Sequence, residues 1–218
     1  MSTAVVAPAR TGQVLADLIP ASRVRDVVLV LGGAALTGLA AQIAVPIPGS
    51  PVPVTGQTFA ALLVGTALGA RRGFLSLALY ALVGMAGMPW FSEGTSGPGG
   101  ASFGYVLGML LAATVVGGLA RRGGDRSVLR TAGTMAVGSL VIYAVGVPYL
   151  ALSTGMSMSA AVAAGLVPFL IGDALKAALA MGALPASWKL AGRGRQPRRP
   201  AGVASDAAAG HTASSPTP

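Results

Sequence analysis

Six apolar stretches alternate along this chain with loops of two kinds. The loops after the first, third and fifth stretches contain no lysine or arginine, whereas the other segments carry every basic residue except Lys176. Basic segments of membrane proteins stay on the cytoplasmic side, so this alternation indicates a chain that crosses a membrane six times. We therefore expect an all-α integral membrane protein with six transmembrane helices and both termini in the cytoplasm.

Three regions follow from these boundaries. Residues 1–25 form a cytoplasmic N-terminal tail, residues 26–190 form the six-helix membrane domain, and residues 191–218 form a disordered basic tail. Arginine, proline, glycine, alanine and serine dominate this last segment, which lacks the large apolar side chains that a core needs. A short surface helix capped by Ser157 or Ser159 is expected before the last span. The predicted spans are about 27–45, 57–70, 73–88, 103–120, 131–150 and 167–185.

Composition agrees with a membrane protein and argues against a nucleic-acid partner. Hydrophobic residues make up 53% of the chain and charged residues only 10%, against about 25% charged in soluble domains. The net charge of +9 comes from the one-sided basic loops and the basic tail. These segments face the cytoplasm, where anionic lipid or solvent accounts for them without nucleic acid.

The residues that enzymes need are missing from the predicted bundle. The chain has no cysteine, and its single histidine, His211, lies in the polar tail. The glycines at 94–100 do not form a phosphate-binding loop, because no Gly-Lys-Ser/Thr follows them. We expect no catalytic activity, no ATP hydrolysis, no metal site and no cofactor.

Two charged residues stand out because they lie inside the last apolar stretch. Asp173 and Lys176 are the only acid and base between Val167 and Leu184, and their spacing of three places them on one face of a helix. A charge at the bilayer centre costs about 2.5 to 3.5 kcal/mol. The pair is therefore either a structural ion pair or the floor of a polar binding site.

Two outer loops provide further candidates for such a site. The proline-rich loop before the second span brings Thr55 and Gln57, and the next outer loop brings Trp90 and Phe91. The spans would then form a cup that opens outward. Each residue also has a structural alternative: Thr55 and Gln57 as helix caps, Trp90 and Phe91 as interfacial aromatics, and Phe103 and Tyr105 as packing residues.

Four segments in this order resemble the BioY family, the biotin-binding S components of energy-coupling-factor (ECF) transporters. The similarity covers roughly residues 26–188, and the combination of a Pro-Val-Pro-x-Thr-x-Gln motif with Gly-Asp-x-x-Lys is fairly specific. It implies an S-component-type bundle with an outward-facing biotin pocket, a membrane T subunit as partner, and a pair of cytosolic ATPases. The segments are Ser50–Phe59, Gly87–Ser92, Phe103–Gly108 and Gly172–Ala180.

The resemblance also implies roles for individual residues. Asp173 and Lys176 match the family's ligand-binding acid and base, and Gln57 matches the polar residue that opens the second helix. Thr95 or Ser96 falls in the loop where family members carry a polar ligand contact. That loop departs from the family pattern because its glycine-rich stretch is shorter and has no basic residue, so the contact to the biotin carboxylate stays open. The T subunit is expected to dock on small residues of the first helix, Ala34 and Gly38.

The chemistry of biotin suits these side chains. A carboxylate at position 173 can accept hydrogen bonds from the ureido N–H groups, and Lys176 can donate to the ureido carbonyl or to the ligand's carboxylate. The thiophane ring and valeryl chain are apolar and suit Trp90, Phe91 or Phe103. We expect high-affinity biotin capture in the cell membrane of a bacterium. The alternatives are an S component for another vitamin or a stand-alone proton-driven vitamin transporter.

Overall fold

Helix α4 (Phe103–Arg121) runs through the middle of the bundle and packs against α2 (Gln57–Leu68), α3 (Ala70–Met85) and α5 (Val128–Thr154). The structure is a computed structural model that describes residues 12–193, in which seven α-helices and one two-stranded ribbon are present. The expectation of an all-α chain is confirmed. The helices are α1 (Arg23–Ala41), α2 (Gln57–Leu68), α3 (Ala70–Met85), α4 (Phe103–Arg121), α5 (Val128–Thr154), α6 (Met158–Gly165) and α7 (Phe169–Arg193).

Glycines allow the central helices to touch through their backbones. A Cβ atom on Gly65 of α2 would lie 2.5 Å from the carbonyl oxygen of Ala113 in α4. A Cβ atom on Gly108 of α4 would lie 2.7 Å from the carbonyl oxygen of Ile142 in α5. Close approach of this kind holds membrane helices together where the hydrophobic effect does not.

The first helix ends earlier than its predicted span. Ser22 caps α1 by accepting a hydrogen bond from the Arg25 N–H at 3.0 Å, and the helix stops at Ala41. Strand β1 (Ala44–Val45) then pairs antiparallel with β2 (Val54–Thr55). The predicted span 27–45 was wrong at its end, because Pro46 disfavours a helical conformation at the residue before it.

Four of the helices are long and apolar enough to cross a membrane: α1, α4, α5 and the part of α7 up to Ala191. Helix α2 is apolar but has only 12 residues, or about 18 Å at 1.5 Å per residue, against a hydrocarbon core of about 30 Å. Gly69, with a φ of 86°, joins α2 directly to α3. The structure therefore describes a membrane protein in which four of the described helices have the length and apolar character of a membrane span.

The last third of the described chain contains one confirmed helix and one corrected boundary. The short helix α6 is capped as expected, since the Ser157 hydroxyl accepts from the Ala160 N–H at 3.3 Å. Helix α7 continues through Pro185 as far as Arg193. The predicted end at 185 was therefore too early, and residues 191–193 of the predicted disordered tail are helical. Residues 194–218, with His211 and most of the basic tail, lie outside the described residues.

Part of the predicted N-terminal tail is packed on the bundle. The Gly12 N–H donates to the Arg121 carbonyl at 2.9 Å, Val14 is fully buried, and Arg72 forms a 2.9 Å ion pair with Asp17. Burial opposes ionisation of Asp17, but hydrogen bonds from Arg72 and the Val14 N–H outweigh it and lower the pKa of this carboxyl. Residues 1–11 lie outside the described part of the chain.

Candidate functional site

The pair in α7 forms an ion pair beside a cavity. Lys176 Nζ lies 3.4 Å from Asp173 Oδ1, and the two side chains are 18% and 16% exposed. The spacing of three residues brings both groups to one face of α7. The predicted proximity of this acid and base is thus confirmed, and neither charge faces bulk solvent.

Two residues from other helices complete this cluster. Lys176 Nζ donates to Thr58 Oγ1 of α2 at 2.8 Å, and the Tyr143 hydroxyl of α5 donates to Asp173 Oδ2. The four side chains therefore form a continuous hydrogen-bonded chain from α2 through α7 to α5. The sequence analysis missed both Thr58 and Tyr143. The available signals were a threonine one position after the motif residue Gln57 and a tyrosine inside an apolar span.

A cleft lies between the loops 46–56 and 86–102 and helices α2, α4, α5 and α7, and we call it the outer cavity. Thr55, Gln57, Tyr105 and Asp173, all predicted site residues, line it. Among the described residues on its wall, Asp173 is the only charged one. The remaining lining residues are Val52, Pro53, Thr58, Ser92, Ser102, Tyr143 and Phe169.

Gln57 is oriented by a partner on α3. Its Oε1 accepts a hydrogen bond from the Tyr80 hydroxyl at 2.8 Å, and the residue is buried at the cavity wall. With its oxygen engaged, the side chain is left with its amide N–H groups as donors. Gln57 can therefore offer a hydrogen-bond donor to a carbonyl or carboxylate in the cavity.

A second, smaller cleft lies on the other side of the charged cluster, and we call it the inner cavity. Lys176 and Ser139 line this inner cavity, whereas Asp173 and Thr58 line both cavities. The cluster therefore separates the two spaces. Asp173 faces the outer cavity, and Lys176 stands behind it.

The aromatic residues of the α3–α4 loop pack inside the protein and do not line the cavity. A Cβ atom on Gly38 of α1 would lie 2.8 Å from the Trp90 ring, and one on Gly84 of α3 would lie 2.2 Å from the Phe91 ring. The two rings occupy the space that these glycines leave open. Phe103 in turn contacts Phe91, with 6.2 Å between ring centroids. The structure thus gives Trp90, Phe91 and Phe103 a packing role, whereas Tyr105 lines the cavity.

In the loop between α3 and α4, the polar side chain at the cavity differs from the predicted Thr95 or Ser96. Thr95 and Ser96 are exposed and away from the cavity wall, and the Thr95 hydroxyl donates to the Ser92 carbonyl at 2.8 Å. Ser92, by contrast, lines the cavity and is only 3% exposed, and its Oγ has no hydrogen-bond partner among the described residues. The loop therefore turns Ser92, and not Thr95 or Ser96, towards the cavity.

The residues expected to dock a partner subunit face inward. Ala34 is 1% exposed, and Gly38 is buried against Trp90. Both small residues serve contacts within the chain, because α1 needs them to lie close to its neighbours. Docking of the T subunit at Ala34 and Gly38 stays a prediction, and in the chain alone both residues are buried against neighbouring segments. Among the described residues, no group of three or more histidine, cysteine, aspartate or glutamate side chains is placed to hold a metal ion.

A helical membrane bundle with a cleft that combines apolar surface with several converging polar groups has the arrangement typical of a membrane protein that binds a small molecule. Its fold matches that of a solved S component for biotin from an ECF-type ABC transporter, with a TM-score of 0.69 over 78% of this chain and 95% of that chain. The two sequences are 20% identical, so this match shows the shared fold alone.

The chain belongs to the BioY family, whose model matches residues 11–193. A probable biotin transporter BioY of Pyrococcus horikoshii is 37% identical over 162 residues, which are 73% of this chain and 93% of the relative. Biotin transporter BioY2 of Lactococcus lactis subsp. cremoris is 35% identical over 161 residues, 72% of this chain and 87% of the relative. The resemblance stated from the motifs is confirmed.

Proposed function

We propose that this chain captures biotin outside the cell and delivers it for uptake as the substrate-specific subunit of an ECF-type transporter. The observation that carries the proposal is the position of Asp173, which presents a carboxylate to the outer cavity in a chain of the BioY family. The printed names of the relatives and of the solved S component support biotin as the ligand. Biotin is the cargo, and the proposal includes no cofactor and no catalysis by this chain.

Hydrogen bonding at the cavity suits the ureido ring of biotin. Asp173 accepts from the ureido N–H groups, and Lys176, which stands behind it, donates to the ureido carbonyl. Gln57, which also lines the cavity, offers a further donor. Tyr105 and Phe169, which line the cavity and stack with 6.4 Å between ring centroids, provide an apolar surface for the thiophane ring.

The proposed topology has six crossings with both termini in the cytoplasm of a bacterial cell. Helices α1, α2, α3, α4, α5 and α7 cross, α2 and α3 being short, and α6 lies outside as a surface helix. Basic residues of the first turn of α3 and of the α4–α5 loop contact the same N-terminal segment: Arg72 pairs with Asp17, and Arg126 donates to the Gln13 carbonyl at 3.0 Å. This clustering at one end supports the one-sided charge pattern.

Energy for uptake comes from partners in this proposal. The sequence has no nucleotide-binding motif, and we assign ATP hydrolysis to a pair of cytosolic ATPases coupled through a membrane T subunit. Deleting the T subunit and the ATPases in cells separates this mechanism from a stand-alone proton-driven transporter, because uptake then stops only in the first case.

Binding by the purified protein is the direct test. Calorimetry of the detergent-solubilised chain should detect biotin binding and no binding of other vitamins in a panel. Asp173→Asn and Lys176→Met should each weaken binding, because each removes a charged hydrogen-bonding partner of the ureido ring. Unchanged biotin affinity in both variants would contradict the assignment of Asp173 and Lys176 to the site. Binding of a different vitamin without binding of biotin would show that biotin is not the ligand.

A further inference from the structure

The charges around the outer cavity are unusual for the binding site of a carboxylic acid. Among the described residues that line it, the one charged group is Asp173, an acid. The segment 86–102 above it contains a single charged residue, Glu93, which is also an acid, and the segment 46–56 contains none. Neither the wall nor these two loops therefore provides a cation for a ligand carboxylate.

Lys176 does not provide the missing cation for a ligand carboxylate. Its Nζ is held by Thr58 Oγ1 at 2.8 Å and by Asp173 Oδ1 at 3.4 Å, and it lines the inner cavity rather than the outer one. A ligand whose ring lies against Asp173 can meet Lys176 with that same ring. Its carboxylate, at the end of a flexible chain, must then point away from the charged cluster.

The loop side of the cavity offers only neutral donors to that end of the ligand. Thr55, Ser92 and Ser102 bring hydroxyl groups to the wall, and no hydrogen bond engages the side chain of Thr55 or Ser102 within residues 12–193. Hydroxyl groups donate equally well to a carboxylate or to an amide carbonyl. The N-terminus of α4, next to Ser102, adds a preference for an anion that is worth only a few-fold.

From this distribution of charge we infer that the site recognises the ring of biotin and not its carboxylate, so that it also captures neutral amide-linked biotin derivatives, such as biotin joined to the ε-amine of lysine. The inference rests on the proposed function. It extends the substrate class from the free acid to amides that leave the bicyclic ring unmodified.

The test compares free biotin, biotin amide and biotinyl-lysine on the purified wild-type chain by calorimetric competition. We expect the amides to bind within about tenfold of the acid, because a lost contact between a carboxylate and a cation would cost on the order of thirtyfold or more. A loss greater than about tenfold for biotin amide would overturn the inference. Failure of the wild-type chain to bind free biotin would overturn the proposed function and the inference with it.

Lys176→Met provides a second, independent arm. Because Lys176 is assigned to the ring, the variant should weaken binding of acid and amide by the same factor and leave their ratio unchanged. A variant that lost affinity for the acid alone would show that Lys176 binds the carboxylate and would contradict the inference. Ser96→Ala is the matched control, since Ser96 is exposed and away from the cavity and its loss should change neither affinity.

Discussion

Tyr143 of α5 and Asp173 of α7 share a hydrogen bond in which the tyrosine hydroxyl donates to the carboxylate oxygen Oδ2. The Tyr143 ring lies edge-on to Tyr105, with 6.4 Å between centroids, and the Tyr105 hydroxyl is itself bonded to the Gly165 carbonyl at 2.7 Å. The Tyr143 hydroxyl, which donates to Asp173, is therefore held in place by packed aromatic rings. Tyr143 orients the carboxylate that we assign to the ligand.

Replacing Tyr143 by phenylalanine should weaken biotin binding about tenfold, because a hydrogen bond to a charged group contributes about 1.5 to 3 kcal/mol and about 1.4 kcal/mol corresponds to tenfold. Calorimetry measures the change. Tyr149→Phe is the control on the same helix, since the Tyr149 hydroxyl donates to the Pro98 carbonyl at 2.8 Å and not to the cluster. The loss should disappear when Asp173 is already asparagine, and its persistence there would contradict the positioning role.

Thr58→Val should release Lys176 from α2 while preserving the shape of the side chain. We expect a loss of biotin affinity of about tenfold, since Lys176 is charged and a hydrogen bond to a charged group contributes about 1.5 to 3 kcal/mol. Thr66→Val is the control, because Thr66 lies on the same helix and its hydroxyl donates only to the Leu62 carbonyl at 2.6 Å. Equal affinities of the two variants would show that Thr58 does not hold Lys176 for the ligand.

Gly38 faces the Trp90 ring, so a larger residue at this position should destabilise the chain even without a partner subunit. Gly38→Ala should destabilise the isolated chain by about 1 to 3 kcal/mol, because the added methyl group meets the Trp90 ring and overpacks the site. Gly32→Ala on the same helix meets nothing within 4 Å and should be neutral or stabilising by up to about 1 kcal/mol. Thermal unfolding in detergent measures both. Equal melting temperatures would contradict the packing role of Gly38.

Asp125, in the α4–α5 loop, should make stability depend on pH. It is 0% exposed, and its Oδ2 accepts from the Trp188 indole N–H at 2.7 Å. Burial raises the pKa of this carboxyl, although the bond from Trp188 and the charge of Arg126 oppose the shift. A raised pKa in the folded state gives a contribution that is complete below pH about 4 and is lost as the pH rises through the folded pKa.

Asp125→Asn removes this charge and keeps an oxygen that can accept from Trp188. We expect the variant to lose less stability than the wild type between pH 4 and 7, as measured by thermal unfolding across that range. Asp17→Asn is a useful comparison because the pKa of Asp17, which lies outside the spans, is lowered, so its contribution has the opposite sign. Parallel pH profiles for wild type and Asp125→Asn would rule out Asp125 as the source.

The helices and the acid–base pair were predictable because they depend on local sequence. Apolar stretches mark the helices, a spacing of three brings Asp173 and Lys176 together, and a serine before an apolar segment marks the start of α6. Thr58 and Tyr143 were not predictable in this way. They lie 118 and 30 residues from their partners, and only the packing of α2, α5 and α7 brings them to the pair.

The packing role of Trp90 and Phe91 could not be predicted from the sequence for a different reason. A tryptophan or phenylalanine in a loop suits a ligand, a membrane interface or a core equally well by composition. The glycines at 38 and 84 decide between these roles, because they leave space that the rings of Trp90 and Phe91 fill. That complementarity depends on the distance between helices, which the sequence alone does not specify.

The absence of basic residues from the loops 46–56 and 86–102 also determines how a ligand reaches this protein. Attraction between opposite charges raises association rates and makes them fall as salt is added. The loops 46–56 and 86–102 present no basic residue, so an anionic ligand is not steered towards the cavity and its rate of arrival should be nearly independent of ionic strength. Tight capture must then come from slow release, with the bound lifetime set by the polar cluster and the apolar wall around it.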